Sequence, residues 1–411
     1  MKFIHLADLH LGKSLHGVSL LESGDQAHWV SAFLELARSH RPQAVLVAGD
    51  VYDRGAPAAG AVELLSSLLT GLTDLEIPVL LIPGNHDSAQ RLSFGRELLA
   101  RQKLHIAPPL RAPGKLSRVR LEDEFGPVDF WLMPYVFPAL VGEALGRETL
   151  RDYDAAVRAL LEAQELDPAC RNVLLAHQNV TLGGLEGPRG GSESMVGGVG
   201  QVDYRAFDAF DYVALGHIHA GYALGRPEVR YAGSPLCYHF HETKQAPKGP
   251  LLVELGPKGT PLRTELLPLE PLHRLLSLEG SREQLEEGIR AAAPGTWFSL
   301  CLSDQRVSPE LGDHLRRLCE QKEGQLLELL SSYRQEAKAG VLTARELREK
   351  TLPQLFGDFF ALRNGGSPMS PEEAALVETA ASLMQGAELR QEPEEALADR
   401  LLAQALKEAK V

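Results

Sequence analysis

Phe3-Ile4-His5-Leu6-Ala7-Asp8-Leu9-His10 is an apolar run of strand length that stops on a carboxylate and an imidazole. The same phrase recurs along the chain. Ala44–Ala48 runs into Gly49-Asp50-Val51-Tyr52-Asp53, and Val79–Ile82 into Gly84-Asn85-His86-Asp87. Residues 173–176 run into His177, and 212–215 into Gly216-His217-Ile218-His219. Between the first three runs, residues 26–40 and 61–72 carry helical periodicity. That alternation predicts an α/β fold, with parallel strands and helices on both faces. Groups that follow such strands fall along one edge of the sheet, where open α/β folds place their sites. Residues 229–231 and 250–255 continue the strand pattern to about residue 267.

At 411 residues the chain has room for two or three domains and a large core. Its 44% apolar and 24% charged content is ordinary for a soluble globular protein. The opening Met1-Lys2-Phe3-Ile4-His5 is charged too soon for a secretory leader, and no apolar run reaches membrane-spanning length. Cys170, Cys237, Cys301 and Cys319 are widely spaced and form no C-x-x-C pair, which suits reduced thiols. A cytoplasmic protein without a membrane partner is expected. The net charge of −13 excludes indiscriminate nucleic-acid binding through bulk charge. A local exception follows the third motif. Arg91, Arg96, Arg101, Lys103, Arg111, Lys115, Arg118 and Arg120 face the single acid Glu97, which suggests a phosphate-backbone surface beside the motifs.

Pro268-Leu269-Glu270-Pro271 reads as a linker. Beyond it come a strand at 274–278, a helix opened by the capping box Ser281-Arg282-Glu283-Gln284, and a strand at Trp297–Leu302. A second helix capped at Ser308-Pro309 and a strand at 325–330 complete a small β-α-β-α-β domain. From about residue 333 the pattern turns helical. Leu352, Leu355, Phe356, Phe359 and Phe360 make one apolar stripe, and Ser370-Pro371-Glu372-Glu373 opens a further helix. That tail is too short to bury its own apolar faces, so it is expected to dock on the body or a partner.

Each motif alone is weak, since Asp8 or Asp50 could start a turn and Asn85 could supply only a positive φ. Their repetition at successive strand ends is what points to two divalent ions, which together can hold a phosphate and make hydroxide from water. Imidazoles, carboxylates and one carboxamide form a mixed nitrogen and oxygen set. It suits manganese(II) or iron(II), leaves zinc open, and offers magnesium too few oxygens. If Asn85 is a ligand, His86 is left to face the phosphate as a proton donor, with Asp87 or Asp53 holding its other nitrogen.

The motifs Asp8-x-His10, Gly49-Asp50-x-x-Asp53, Gly84-Asn85-His86-Asp87, His177 and Gly216-His217-x-His219 resemble those of the calcineurin-like metallophosphoesterases. Asp8-Leu9-His10-Leu11-Gly12-Lys13 and Arg230-Tyr231-Ala232-Gly233-Ser234-Pro235 resemble, more narrowly, the SbcD family of bacterial nuclease subunits. The resemblance implies an α/β four-layer β-sandwich flanked by helices over 1–267. It also implies a small α+β capping domain over 272–332 that orients DNA, and a helical region over 345–411 that binds an ATPase partner. Position by position, it implies one metal on Asp8, His10, Asp50 and His219 and a second on Asp50, Asn85, His177 and His217. His86 takes the catalytic position, with Asp53 and Asp87 supporting it. Arg91, Arg96, Arg101 and Lys103 are the candidate DNA contacts.

The implied activity is manganese-dependent exonuclease action on duplex ends, with endonuclease action on single strands and hairpins. The implied assembly is a homodimer within a heterotetramer, completed by an SbcC-type coiled-coil ATPase. Two other readings share the motifs: a small-substrate phosphoesterase, and a DNA-end or partner-binding scaffold with a dispensable metal site. The extra domain and tail speak against the first, and the intact ligand set against the second.

Overall fold

Two sheets form because the apolar strands bury both of their faces. In the computed structural model, β1 (Lys2–Leu6), β2 (Ala44–Ala48), β3 (Val79–Ile82) and β4 (Leu104–Ile106) run parallel as neighbours. The second sheet has a parallel centre of β6 (Gly126–Leu132), β7 (Arg171–His177), β8 (Tyr212–Gly216) and β10 (Arg226–Tyr231). Antiparallel strands complete the edges. The first sheet gains β11 (Leu251–Glu254) and β12 (Arg263–Leu266). The second gains β5 (Ser117–Asp123) and β9 (Tyr222–Leu224).

The structure describes residues 1–147, 150–185, 187, 200–244, 247–333, 352–363, 368–370, 373–375 and 377–378. Most of the expected tail over 371–411 lies outside them. Among the described residues, no helix is long and apolar enough to cross a membrane.

Alternate residues sort the layers. Phe3, Leu46 and Leu80 face Phe130, Val173, Leu175 and Tyr212 in a core between the sheets. Ile4, Val45 and Leu81 point the other way, beneath α1 (Asp25–His40) and α2 (Ala59–Asp74). Leu174, Val213 and Trp131 likewise lie under α3 (Pro138–Leu145) and α4 (Tyr153–Glu162). Each sheet therefore has helices on one face and the other sheet on its second. This corrects the expectation of helices on both faces. A continuous apolar strand records that both faces are buried, but not whether a helix or a sheet buries them.

The hairpin of β5 and β6 also revises the reading of the basic stretch. Arg118 and Arg120 lie on β5, and Arg120 grips the buried Asp129 with two bonds of 2.7 Å. Lys115 pairs with Glu165 at 2.9 Å. These three cations are engaged with acids, which leaves Arg91, Arg96, Arg101 and Lys103 after the third motif and the exposed Arg111 further along the chain.

After β12, a small parallel sheet forms from β13 (Leu275–Gly280), β14 (Trp297–Leu302) and β15 (Gln325–Ser331). With α5 (Arg282–Ala291) and α6 (Pro309–Gln321) it buries its own core of Leu285, Ile289, Phe298, Leu300 and Leu315. The reciprocal Ser281 and Gln284 capping bonds are formed. His273 ties this unit to α1 through a 2.9 Å bond between its Nδ1 and the buried Asp25, while its ring stacks on Trp297. Residues Met1–Tyr333 form one compact body. Separately, α7 (Leu352–Arg363) leaves Phe356 and Phe359 exposed side by side.

Asp123 at the end of β5 is fully buried, and Arg171 and the Met1 amino group each approach it at 2.5 Å. Burial alone would raise its pKa; Arg171 and the amino group outweigh that and hold it well below the carboxylate range. An ionised Asp123 thus stabilises the fold at all pH values above its unfolded pKa, and that contribution is lost as pH falls towards the depressed folded value. Asp123→Asn should lower the unfolding free energy by roughly 3–5 kcal/mol at neutral pH, the cost of breaking a buried pair. In urea unfolding, the gap from wild type should narrow below about pH 4, where the unfolded carboxylate protonates.

Candidate metal centre

All seven residues expected as ligands stand at carboxyl ends of the central strands, where the two sheets open. The loops after β1 and β2 are joined by backbone bonds, from the Asp8 N–H to the Gly49 carbonyl (3.0 Å) and from the His10 N–H to the Asp50 carbonyl (2.9 Å). Asp8, His10, Asp50 and His217 all adopt positive φ, at 53°, 41°, 49° and 103°. A non-glycine residue there is uncommon and is held by its surroundings. Turning the chain so sharply at each strand end aims the side chains at one another.

Asp50 lies at the middle. Its Oδ1 accepts the His86 backbone N–H at 2.9 Å. Its Oδ2 lies 3.4 Å from His177 Nε2, 3.5 Å from His10 Nε2 and 4.0 Å from His86 Nε2. Gly84 permits this approach, since a Cβ there would lie 2.1 Å from Asp50 Oδ1. Gly216 is equally confined, because a Cβ would meet the Ala48 carbonyl oxygen at 2.0 Å.

Two groupings of donors flank Asp50. On one side, His10 Nε2 and His219 Nε2 face each other at 3.1 Å beside the buried Asp8. On the other, Asn85 Oδ1 stands 3.0 Å from His177 Nε2 and 3.1 Å from His217 Nδ1. His177 donates from Nδ1 to the Ala48 carbonyl at 2.8 Å, which directs the lone pair of Nε2 inward. The Asp8 carboxylate accepts the His217 N–H at 2.9 Å.

The charges ask for a cation. Burial lifts Asp8 to about 6, against the pull of His177 and His219. Burial would also raise Asp50, yet the imidazoles, His177 first, hold it far below its usual value. Burial alone would lower His177, but Asp50 draws a proton onto it and raises it to about 9. His10 is pushed well below its ordinary value, chiefly by burial, and is neutral. Two buried carboxylates facing imidazole ring nitrogens fit divalent metal ions, whose binding releases the proton that His177 otherwise carries. Three candidate groupings share these residues: Asp8 with His10 and His219, Asp8 with Asp50 and His177, and His10 with Asp50 and His86.

His86 stands apart from the others. Its side chain is 38% exposed. Its Nδ1 bonds to the backbone carbonyl of Asp53 at 2.9 Å, so neither expected carboxylate holds that nitrogen. Asp53 instead bonds Lys13 at 2.9 Å and approaches His10 Nδ1 at 3.6 Å. Asp87 accepts the backbone N–H groups of Val51, Tyr52 and Gly84 at 2.9–3.0 Å, tying the second motif to the third. Burial lifts Asp87 to about 6, with Asp50 adding to the rise. A backbone carbonyl has no side-chain signature, so this correction was beyond any reading of residue types.

Of the basic group, Arg91 reaches the Gly55 carbonyl at 2.9 Å, which brings it beside the Asp53 turn. Arg96 pairs with Glu97 at 3.2 Å, and Arg101 and Lys103 are exposed. Sequence reasoning missed Lys13, Tyr238 and Glu242. Tyr238 donates to the Leu9 carbonyl at 2.5 Å and packs against both His10 and His219. Glu242 meets His219 Nδ1 at 3.3 Å. Only Lys13 had a signal, its place in Asp8-Leu9-His10-Leu11-Gly12-Lys13.

This fold and this donor cluster define a metallophosphoesterase, and residues 1–221 match the calcineurin-like phosphoesterase family. Residues 271–364 match a family described as the type 5 capsule protein repressor C-terminal domain. The SbcD subunit of the nuclease SbcCD from Staphylococcus saprophyticus is 34% identical over 288 residues, covering 69% of this chain and 73% of its own. The Staphylococcus epidermidis protein of the same name is 30% identical over 308 residues, covering 74% and 79%. The chain belongs to the SbcD family of calcineurin-like phosphoesterases. A solved structure from Thermus thermophilus aligns with 64% of this chain at 15% identity and a TM-score of 0.37, too slight a likeness to carry weight.

Gly84→Ala should push Asp50 out of the centre, because the added Cβ has only carboxylate and backbone atoms to meet. Titration with manganese should then show affinity weakened by at least ~10–100-fold, the scale on which disturbed support of a ligand acts, while circular dichroism stays native.

Proposed function

We propose that this chain is the nuclease subunit of a cytoplasmic, two-component DNA-processing complex and hydrolyses DNA phosphodiesters with two divalent ions, manganese foremost. The observation that carries the reading is the gathering of seven candidate donors, Asp50 among them, from five strand ends into one centre, in a family whose named relatives are nuclease subunits. One ion would be held by Asp8, His10, Asp50 and His219, the other by Asp50, Asn85, His177 and His217. Such ions supply hydroxide at neutral pH and charge compensation for a phosphate.

The chain's own groups supply the rest. His86 is the general acid. Its Nδ1 is committed to the Asp53 carbonyl, so Nε2 delivers the proton to the leaving oxygen. Its exposure leaves it reachable by substrate, as the buried Asp8, His10, Asp50, His177 and His219 are not. Asp53 steadies this turn through Lys13, and Asp87 fixes the backbone that carries both Asp50 and His86. Arg91, Arg96, Arg101 and Lys103 take the DNA backbone beside the centre.

Residues 272–332 act as the DNA-orienting cap above a nuclease domain of 1–267. Residues 345–411 bind an SbcC-type coiled-coil ATPase, for which the exposed Phe356 and Phe359 on α7 offer an apolar anchor. The expected substrates are duplex ends, cut as an exonuclease, and single strands and hairpins, cut as an endonuclease. A homodimer fits an apolar cavity of about 810 Å3 lined by Val62, Leu65, Leu69 and Leu92, beside Phe94 (85% exposed) and Leu98 (66%).

Digestion of end-labelled duplex and hairpin DNA with manganese, with and without the ATPase and ATP, tests the activity. Monoester turnover without DNA cleavage would overturn it. His86→Ala should lower cleavage at least ~10²-fold, the typical loss for a general acid, with DNA binding retained in a gel-shift assay. Phe94→Glu should convert the dimer to a monomer in sedimentation velocity, with the chain still folded.

A further inference from the structure

Glu242 belongs to none of the strand-end motifs, yet its side chain is fully buried against a residue of the centre. It stands on the turn Phe240–Lys244, and its Oε1 lies 3.3 Å from His219 Nδ1. Its Oε2 lies 2.8 Å from Lys248 Nζ and accepts the Ser234 hydroxyl at 3.2 Å. Lys248 also donates to the backbone carbonyl of His219 at 2.6 Å and to Ser234 Oγ at 2.9 Å. The Ser234 N–H donates to the same carbonyl at 3.1 Å. One imidazole is therefore gripped at its ring and at its backbone by a single connected polar group.

We propose that Glu242, seated by Lys248 and Ser234, is a positioning residue that tunes one of the two metal positions, the one served by His219. The inference rests on the two-ion centre proposed above. An imidazole can present Nε2 to a metal only if its hydrogen sits on Nδ1, and an acceptor at Nδ1 secures that tautomer. Glu242 is that acceptor, and His219 Nε2 accordingly faces His10 Nε2 at 3.1 Å. A carboxylate partner also makes the imidazole a stronger donor than a carbonyl partner does. His177, on the other side, has only the Ala48 carbonyl at its Nδ1. The two positions thus differ in their support although their first donors are alike. Lys248 cancels the charge of Glu242, which keeps an uncompensated third carboxylate away from Asp8 and Asp50.

The test uses the full chain, stripped with a chelator and titrated with manganese by calorimetry. Wild type should bind in two steps; failure to do so counts against the two-ion centre and not against Glu242. His219→Asn identifies the step to which His219 contributes. In Glu242→Gln, which keeps shape and an acceptor but loses the charge, that step should weaken by roughly 10–100-fold while the other stays within about twofold. Ser234→Ala, which removes the hydroxyl's contacts with Glu242 Oε2, Lys248 Nζ and the Leu236 carbonyl but leaves the carboxylate in place, should weaken the same step to a lesser degree and serves if Glu242→Gln does not fold. Manganese paramagnetic resonance at two equivalents should then show a larger free-ion signal for Glu242→Gln than for wild type. Two unchanged steps in either folded variant would overturn the proposal. Equal weakening of both would do so as well, since that is the mark of a charge acting at long range.

Discussion

Two carboxylates, Asp8 and Asp50, are buried where the sheets meet, and the groups that chiefly lower their pKa by charge are imidazoles. That is costly in a low-dielectric interior, because an imidazole is a partner only while it carries a proton. The conflict shows in their opposed pKa shifts: burial lifts Asp8, while His177 and Asp50 stabilise each other's charged forms, depressing Asp50 and raising His177. A divalent cation bound here would supply the positive charge that the carboxylates lack. The rest of the architecture follows from keeping these groups in place against their repulsion.

Backbone strain is one part of what keeps them there. Four residues of the centre hold positive φ, each at a cost of order 1–3 kcal/mol. Paired strands on both sides hold them, for the loops cannot relax without breaking the sheet registers that anchor them. Asp87 adds a clasp by gathering three backbone N–H groups from two separate loops. Gln26 on α1 adds another through the His10 carbonyl. The helices thus reach the centre through its backbone, while the sheets set its spacing.

The same economy separates chemistry from support. Five of the seven candidate ligands, Asp8, His10, Asp50, His177 and His219, are buried, while the His86 side chain is 38% exposed. Its ring is fixed by a carbonyl, which orients the imidazole without adding charge next to Asp50. Asp53 is free of that duty and pairs with Lys13, so a carboxylate near the centre carries its own counter-charge. Glu242 and Lys248 repeat the arrangement behind His219. Asp87 differs, since its carboxylate rests on three backbone N–H groups.

Much of this was legible in residue order. Strand ends bearing Asp, His and Asn identify the donors, because ligand chemistry is carried by side-chain type and a strand's end by where its apolar run stops. The capping box at Ser281 and the strand at Trp297–Leu302 were visible for similar local reasons. The facing of the two sheets was not, since an apolar strand does not say what covers it. Nor was the hairpin carrying Arg118 and Arg120, whose charges read as open surface until Asp129 was seen opposite them. The sequence by itself determined which groups could bind metal and that they would share one edge. Only the tertiary structure decided that Asp50 stands in the middle, that a carbonyl holds His86, and that Glu242 stands behind His219. Those are distances between residues far apart in the chain, and only closing the two sheets on each other sets them.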